Sequence, residues 1–161
     1  MKKRHLFAFL LGLMTLDTYS QINPIEEKDK EFEETLIGEI RQAGAFRAKC
    51  VRYVSKEKDT TYTIFFDNAK YQTISDIKYF SFNETGGDFE KLYSIIKNNM
   101  ESKERKDVEI PLKNGKLILG FERMMGVSSM QMKWYSNGIL SYSSYMTLNQ
   151  YKKLFGKKED L

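Results

Sequence analysis

The spacing of hydrophobic residues changes along the chain, and each change predicts a different element. From Glu26 to Ala43 apolar residues recur at helical spacing, and acidic residues crowd the first turns, where the helix dipole favours negative charge. Gly44 follows as a helix end. The apolar stripe of this stretch consists of Phe32, Leu36, Ile37 and Ile40. The pattern therefore predicts an N-terminal helix.

Three β-type runs come next, and a second helical stretch follows them. The runs span residues 46–54, 61–66 and 74–82 and are rich in β-branched and aromatic side chains. A polar turn over residues 55–60 separates the first two runs, as in a hairpin with a longer loop. The helical stripe that follows consists of Phe89, Leu92, Tyr93, Ile96 and Met100. This segment predicts three strands closed by a helix.

Two Asn-Gly pairs mark turns in the last third of the chain, because this dipeptide favours tight hairpin turns. With a two-residue turn at Asn114 and Gly115, Leu112 would lie opposite Leu117. The apolar side chains of both strands would then share one face, so turn chemistry and hydrophobic pattern agree. We therefore expect a regular hairpin here.

The second pair, Asn137 and Gly138, creates a conflict between turn chemistry and hydrophobic pattern. A two-residue turn would place Trp134 opposite Ser141 and mix polar and apolar side chains on one face. A three-residue loop with Gly138 left-handed places Trp134 opposite Leu140 instead. We therefore expect the longer loop with a bulge.

Together these elements predict an α+β fold, in which the N-terminal helix is followed by two antiparallel sheet-plus-helix units, β3-α and β4-α. The last helix is expected to begin at Thr147, because Gln150 three residues on completes a capping box. The two units are compatible with a pseudo-repeat and equally with two unrelated halves. In layout alone, a doubled β4-α arrangement resembles the Whirly-type and PUR-type single-strand nucleic-acid-binding folds, with no motif shared.

The first twenty residues have the order of a secretory signal peptide. A positive start at residues 2–4 precedes an apolar run over residues 6–16, and small hydroxyl residues follow at Thr18 and Ser20. The run is about half the roughly twenty residues that a membrane-spanning helix needs. We expect cleavage after Ser20, a single domain over residues 21–161 with no transmembrane segment, and a periplasmic or secreted location.

Removing this segment changes the charge and the available chemistry. Three of the 26 basic and one of the 22 acidic residues leave with it, so the net charge falls from +4 to +2 and no nucleic-acid partner is expected. His5, the one histidine, leaves as well, which removes the imidazole that a triad or a zinc site uses. We expect no cofactor, and we interpret the single cysteine, Cys50, as a buried small hydrophobe.

Two functions with their own chemistry remain as alternatives. A small hydrolase would pair acidic side chains across a cleft, and the candidates on strand-like segments are Asp67, Asp76, Glu109 and Glu122. A copper-handling protein would use thioether sulfurs, which suit Cu(I), and the candidates are Met124, Met125, Met130, Met132 and Met146. In both sets the ordinary explanation, solvent-facing charge or core packing, is the commoner one.

A non-enzymatic binding module is the preferred hypothesis, because tyrosines recur on the predicted strands. Tyr with Lys and Ser on an outer sheet face suits a protein, peptide or glycan partner. The best candidates alternate with Trp134 and Leu140 and so would share the outer face. They are Lys133, Tyr135, Ser141, Ser143 and Tyr145.

Overall fold

The computed structural model describes residues 32–71 and 73–157, and more than half of these lie in strands. The strands are β1 (Phe32–Gln42), β2 (Ala45–Ser55), β3 (Thr60–Asp67), β4 (Ile77–Asn83), β5 (Val108–Leu112), β6 (Gly115–Met124), β7 (Val127–Ser136), β8 (Ile139–Tyr142) and β9 (Met146–Thr147). The helices are α1 (Asp88–Glu101) and α2 (Leu148–Leu154). The fold is therefore mostly β, and the predicted α+β class is wrong.

The strands form two antiparallel sheets. The first sheet has the order β1-β2-β3-β4, and the second has the order β5-β6-β7-β8, with β9 pairing with β7 beyond the end of β8. The predicted hairpin formed by β2 and β3 is confirmed. The first sheet has four strands rather than three, because the segment expected to be the N-terminal helix supplies β1.

A β-bulge explains why the N-terminal helix prediction is wrong. Leu36 pairs with Val51 and Gly38 pairs with Cys50, so Ile37 is an extra residue in β1. The extra residue breaks the alternation of the strand and gives Ile37 and Ile40 the three-residue spacing of a helix. The first part of the predicted helix, residues 26–31, lies outside the described residues.

The predicted sheet-plus-helix units are also wrong, because the helices do not each close the sheet that precedes them. Helix α1 follows the first sheet but packs mainly against β6 and β7, whereas α2 packs most against β1. The helices also stack on each other, with ring centroids 5.3 Å apart for Tyr93 and Tyr151 and 4.8 Å apart for Phe89 and Phe155. The two sheets and two helices therefore share one hydrophobic core.

The apolar stripe predicted for α1 is confirmed as a core face, and α2 also turns apolar side chains into the core. Phe89, Leu92, Ile96 and Met100 of α1 are buried, as are Tyr151, Leu154 and Phe155 at α2. The capping box is also confirmed, since the Thr147 hydroxyl accepts from the Gln150 backbone N–H and the Gln150 side chain accepts from the Thr147 backbone N–H. Neither described helix is long and apolar enough to cross a membrane.

The registers of the two later hairpins differ from those expected. In the β5–β6 hairpin Leu112 pairs with Gly115 rather than Leu117, a shift of two residues that keeps the apolar side chains on the inner face. In the β7–β8 hairpin Trp134 pairs with Ser141 rather than Leu140, a shift of one residue. A one-residue shift exchanges the two faces of a strand, so Leu140 points outward and Ser141 points inward.

Candidate ligand-binding cleft

Among the strands that the structure describes, β4 is the last of the first sheet, so its outer edge is free. Two backbone bonds fix which of its groups point outward: Asn68 N–H donates to the Asp76 carbonyl, and Glu84 N–H donates to the Thr60 carbonyl. Hydrogen-bonded pairs alternate along an antiparallel ladder. Residues 78, 80 and 82 therefore direct their backbone groups towards β3, and residues 77, 79 and 81 direct theirs away from it.

This free edge lines a cleft with a volume of about 800 Å³. The volume lies within the range of ligand pockets, roughly 300–1,000 Å³. We call it the β4–β8 cleft. Its lining consists of residues 77–81 of β4, Lys113 and Asn114 of the β5–β6 turn, and Trp134, Ser136, Asn137, Ile139 and Ser141 of the β7–β8 hairpin.

Two polar groups of the cleft lining, one from Trp134 and one from Ser141, have no hydrogen-bond partner among the described residues. Trp134 is 8% exposed and Ser141 is 3% exposed, and they pair across β7 and β8. Within the part of the chain that the structure describes, neither the indole N–H nor the Ser141 hydroxyl makes a hydrogen bond. Neither atom is among the buried unpartnered side-chain atoms of the described residues, which are the Nε atoms of Arg47, Arg52 and Arg105, so both groups are accessible from the cleft to water or to a ligand.

Aromatic packing holds the Trp134 ring in place. Its centroid lies 5.7 Å from that of Phe80, a residue of β4 that is almost completely buried. On the other side, Gly115 leaves room for the indole, since a Cβ atom at this position would lie 2.8 Å from its Cη2 atom. Two flanking residues, one from each sheet, therefore fix the orientation of the indole.

Asn68 joins the two walls near one end of the cleft. Its Nδ2 donates to Asp76 at 2.8 Å, and its Oδ1 accepts from the Tyr142 N–H at 3.3 Å. The neighbouring Ala69 N–H donates to the Tyr142 carbonyl at 2.8 Å. These bonds connect the β3–β4 loop to the outer edge of β8 and so hold the two sheets at a defined separation.

The charged residues of the cleft lining are both lysines. Lys78 forms an ion pair with Asp76 at 2.8 Å, whereas Lys113 has no ion-pair partner among the residues described. The Asp76 pKa is lowered, first by its hydrogen bond to Lys78 and then by that to Asn68. Asp76 is therefore held as an ion that offsets the charge of Lys78, and the remaining lysine, Lys113, favours a ligand that carries negative charge.

The five predicted binding residues do not form one surface. Lys133 and Tyr135 lie on the outer face of β7, where Tyr135 pairs with the exposed Leu140. Ser141 and Ser143 are buried, Ser141 in the β4–β8 cleft and Ser143 with its hydroxyl accepting from the Met132 N–H at 3.0 Å.

Tyr145 lies apart from Tyr135, near the opposite end of β7. Its hydroxyl donates to Glu122 at 2.7 Å, and this hydrogen bond is the main reason why the Tyr145 pKa is raised. The structure thus brings together Lys133 and Tyr135 and places Ser141 in a different site, whereas Tyr145 shares a neighbour with Lys133: Asp107 forms an ion pair with Lys133 at 3.4 Å and also raises the Tyr145 pKa.

The acidic candidates for hydrolysis are held in other interactions. Glu109 forms an ion pair with Lys116 at 2.9 Å, and Glu122 accepts the Tyr145 hydroxyl. Asp67 accepts from the Asp76 backbone N–H at 3.3 Å, so these two lie close together in the β3–β4 loop. A general acid needs a raised carboxyl pKa, whereas that of Asp76 is lowered.

The sulfur-containing candidates are divided between the core and the surface. Met130, Met132 and Met146 are buried in the hydrophobic core, and Met125 is fully exposed at the β6–β7 turn. The side chain of Met124 lies outside what the structure describes. Cys50 is buried as expected, and burial raises the pKa of its thiol to about 12, which makes it a poor nucleophile.

The cleft residues that the sequence reasoning missed are Tyr79, Lys113 and Trp134. Trp134 was assigned only to an inner sheet face, and the other two carried no motif.

Comparison of the chain with protein-family models, curated proteins and solved structures finds no match. The geometry of the cleft itself therefore carries the functional argument: it offers apolar surface, unpaired polar groups and positive charge to a ligand.

Proposed function

We propose that this protein is an exported, non-enzymatic binding module whose ligand enters the β4–β8 cleft. The observation that carries the proposal is the pair of unpartnered polar groups in the cleft, the Trp134 indole N–H and the Ser141 hydroxyl. A cleft that combines buried aromatic surface with a few such groups is typical of a ligand site.

The chemistry of the lining supports binding rather than catalysis. Apolar surface comes from Ile77, Tyr79, Trp134 and Ile139, and the charge comes from two lysines. Glu109 and Glu122, which a hydrolase would need nearby, belong to other interactions on the second sheet. The cleft thus offers groups that hold and orient a ligand, and the proposal assigns no bond-breaking step to it.

The predicted signal peptide supports the exported location. Its three parts lie within residues 1–20, and cleavage after Ser20 would leave Gln21 as the first residue. N-terminal sequencing of protein recovered from the periplasmic or culture fraction should therefore begin at Gln21. Full-length protein retained in the cytoplasm would contradict the exported location. It would not bear on ligand binding in the cleft, which the next experiment tests separately.

Trp134 provides a direct test of the cleft, because it is the only tryptophan in the chain. Purified protein is titrated with two classes of probe, a pool of short blocked peptides and a set of neutral oligosaccharides, while the indole emission is recorded. At least one class should change the emission saturably, and mass spectrometry should recover the probe intact. Cleavage of the probe, or no response to either class, would overturn the proposal.

Two matched variants locate the response in the cleft. Ile139 lines the cleft and is 63% exposed, whereas Val127 lies at the β6–β7 turn and is 55% exposed. Ile139→Asp should weaken probe binding at least about tenfold, because it places an unpaired carboxylate in the site. Val127→Asp makes the same kind of change elsewhere and should leave binding unchanged. Equal effects of the two variants would contradict the location.

A further inference from the structure

We infer that the occupant of the β4–β8 cleft is an extended peptide segment of a partner protein, which adds as a strand to the free edge of β4 and carries an acidic side chain. This inference rests on the proposed function and names the ligand class of the same site. Strand addition obtains affinity from backbone hydrogen bonds and specificity from alternate side chains.

The edge of β4 offers a regular row of backbone groups. Ile77, Tyr79 and Ser81 direct their N–H and carbonyl groups away from β3, and these groups have no partner in the described ranges. The β3–β4 register runs without a shift from Thr61 to Asp67, so no bulge distorts the edge. Such a row is a template for another strand.

The dimensions of the cleft match a short strand. Five consecutive residues of β4, 77–81, line it. At about 3.4 Å per residue they span roughly 14 Å, which accommodates a segment of about five residues. Alternate side chains of that segment would point towards Trp134 and Ser141, and a carbonyl of the segment could accept the indole N–H. The unpartnered groups in the cleft are thereby satisfied by the same ligand.

Charge favours an acidic side chain in this segment. Lys113 lines the cleft without an ion-pair partner among the described residues, whereas Lys78, the other lysine of the lining, is already paired with Asp76. No Asp or Glu is among the described residues that line the cleft. A neutral oligosaccharide would use the aromatic surface, but it would not match the regular spacing of backbone donors and acceptors along β4.

The test uses a pool of terminally blocked peptides with one fixed glutamate and randomised neighbours. Peptides retained by the immobilised protein are identified, and the best one is titrated against the Trp134 emission. Two analogues of that peptide are then made. One is N-methylated at the alternate residues whose N–H groups would face β4, and the other is N-methylated at the residues in between. Methylation of the residues whose N–H groups face β4 should weaken binding at least about tenfold, because it removes the hydrogen bonds to the edge of β4. The other analogue should bind nearly as well as the parent peptide.

A charge exchange tests the acidic preference. Lys113→Glu should weaken binding of the glutamate peptide about fivefold or more, and a peptide with lysine in place of glutamate should recover binding to this variant. Lys103→Glu is the matched control, because Lys103 is exposed, lies in the loop after α1 and does not line the cleft. It should leave the affinity unchanged. Equal losses from the two substitutions would overturn the acidic preference.

The outcomes separate this inference from the proposed function. Oligosaccharide binding without peptide binding would uphold the cleft as a ligand site and overturn strand addition. Equal affinities of the two N-methylated analogues would also overturn strand addition. Hydrogen exchange gives an independent readout, since a bound peptide should slow exchange of the outward amides of Tyr79 and Ser81. Failure of both probe classes to change the Trp134 emission would overturn both proposals.

Discussion

The two hairpins of the second sheet contain the same dipeptide and use it differently. In the β7–β8 hairpin, Asn137 and Gly138 are the two central turn residues, with φ values of 51° and 77°. In the β5–β6 hairpin, the central residues are Lys113 and Asn114, and Gly115 already belongs to β6, paired with Leu112. Gly138 therefore adopts a left-handed backbone conformation, whereas the φ of Gly115 is not positive.

The neighbouring side chain explains the difference. A Cβ atom at Gly115 would lie 2.8 Å from Cη2 and 2.9 Å from Cζ2 of Trp134, and it would also meet the Tyr135 carbonyl oxygen. A Cβ atom at Gly138 would meet nothing within 4 Å. Glycine is thus required for space in one hairpin and for backbone conformation in the other. The glycine of an Asn-Gly dipeptide therefore meets a different physical requirement in each hairpin.

Substitution of the two glycines should give the largest difference between the hairpins. Gly115→Ala should lower the free energy of unfolding by about 2–3 kcal/mol, because the methyl group overpacks against a ring and a backbone oxygen. Gly138→Ala should lower it by about 1 kcal/mol, the cost of a left-handed alanine with open space around it. Urea unfolding of both variants measures the two values, and a larger loss from Gly138→Ala would refute the assignment.

A second background identifies the indole as the cause. Phenylalanine in place of Trp134 removes the Cη2 and Cζ2 atoms of the six-membered ring, so part of the overpacking should be relieved. The cost of Gly115→Ala should therefore be smaller in a Trp134→Phe protein than in the unchanged protein. The cost of Gly138→Ala should be the same in both backgrounds, since Gly138 does not contact the ring. Identical costs for Gly115→Ala in the two backgrounds would assign the clash to the Tyr135 carbonyl alone.

Local signals in the sequence were sufficient for several elements. The α1 stripe from Phe89 to Met100, the capping box at Thr147 and Gln150, and the inner face of the β5–β6 hairpin are all confirmed. Each depends on spacing or on turn and cap chemistry within a few residues. The inner face was predicted even though its register was wrong, because a shift of two residues preserves the alternation.

Features that depend on distant residues could not be predicted in this way. The bulge at Ile37 gave β1 a helical spacing, and only its pairing with β2 distinguishes the two structures. The register of the β7–β8 hairpin was missed for a different, local reason: matching Trp134 with Leu140 outweighed the Asn-Gly signal, whereas the two-residue turn at Asn137 and Gly138 gives the observed register.

The cleft was missed for the same reason as the bulge, but it concerns the candidate site rather than the fold. Its lining comes from β4, the β5–β6 turn and the β7–β8 hairpin, three segments far apart in the sequence. Ser141 was a candidate only because the expected register placed it on the outer face, whereas the observed register turns it into the cleft. No spacing within any one segment signals that the three segments meet.

The two asparagines give the smallest expected difference between the hairpins. Asn137 has a φ of 51°, a left-handed conformation that asparagine tolerates better than alanine does. Asn114 does not have a positive φ. Its backbone carbonyl, rather than its side chain, accepts a hydrogen bond from the Ser136 hydroxyl at 2.8 Å. Asn137→Ala should therefore lower the free energy of unfolding by about 0.5–1 kcal/mol. Asn114→Ala should change it by less than about 0.5 kcal/mol. Equal losses in urea unfolding would mean that both asparagines occupy the same kind of turn position and would contradict the observed registers.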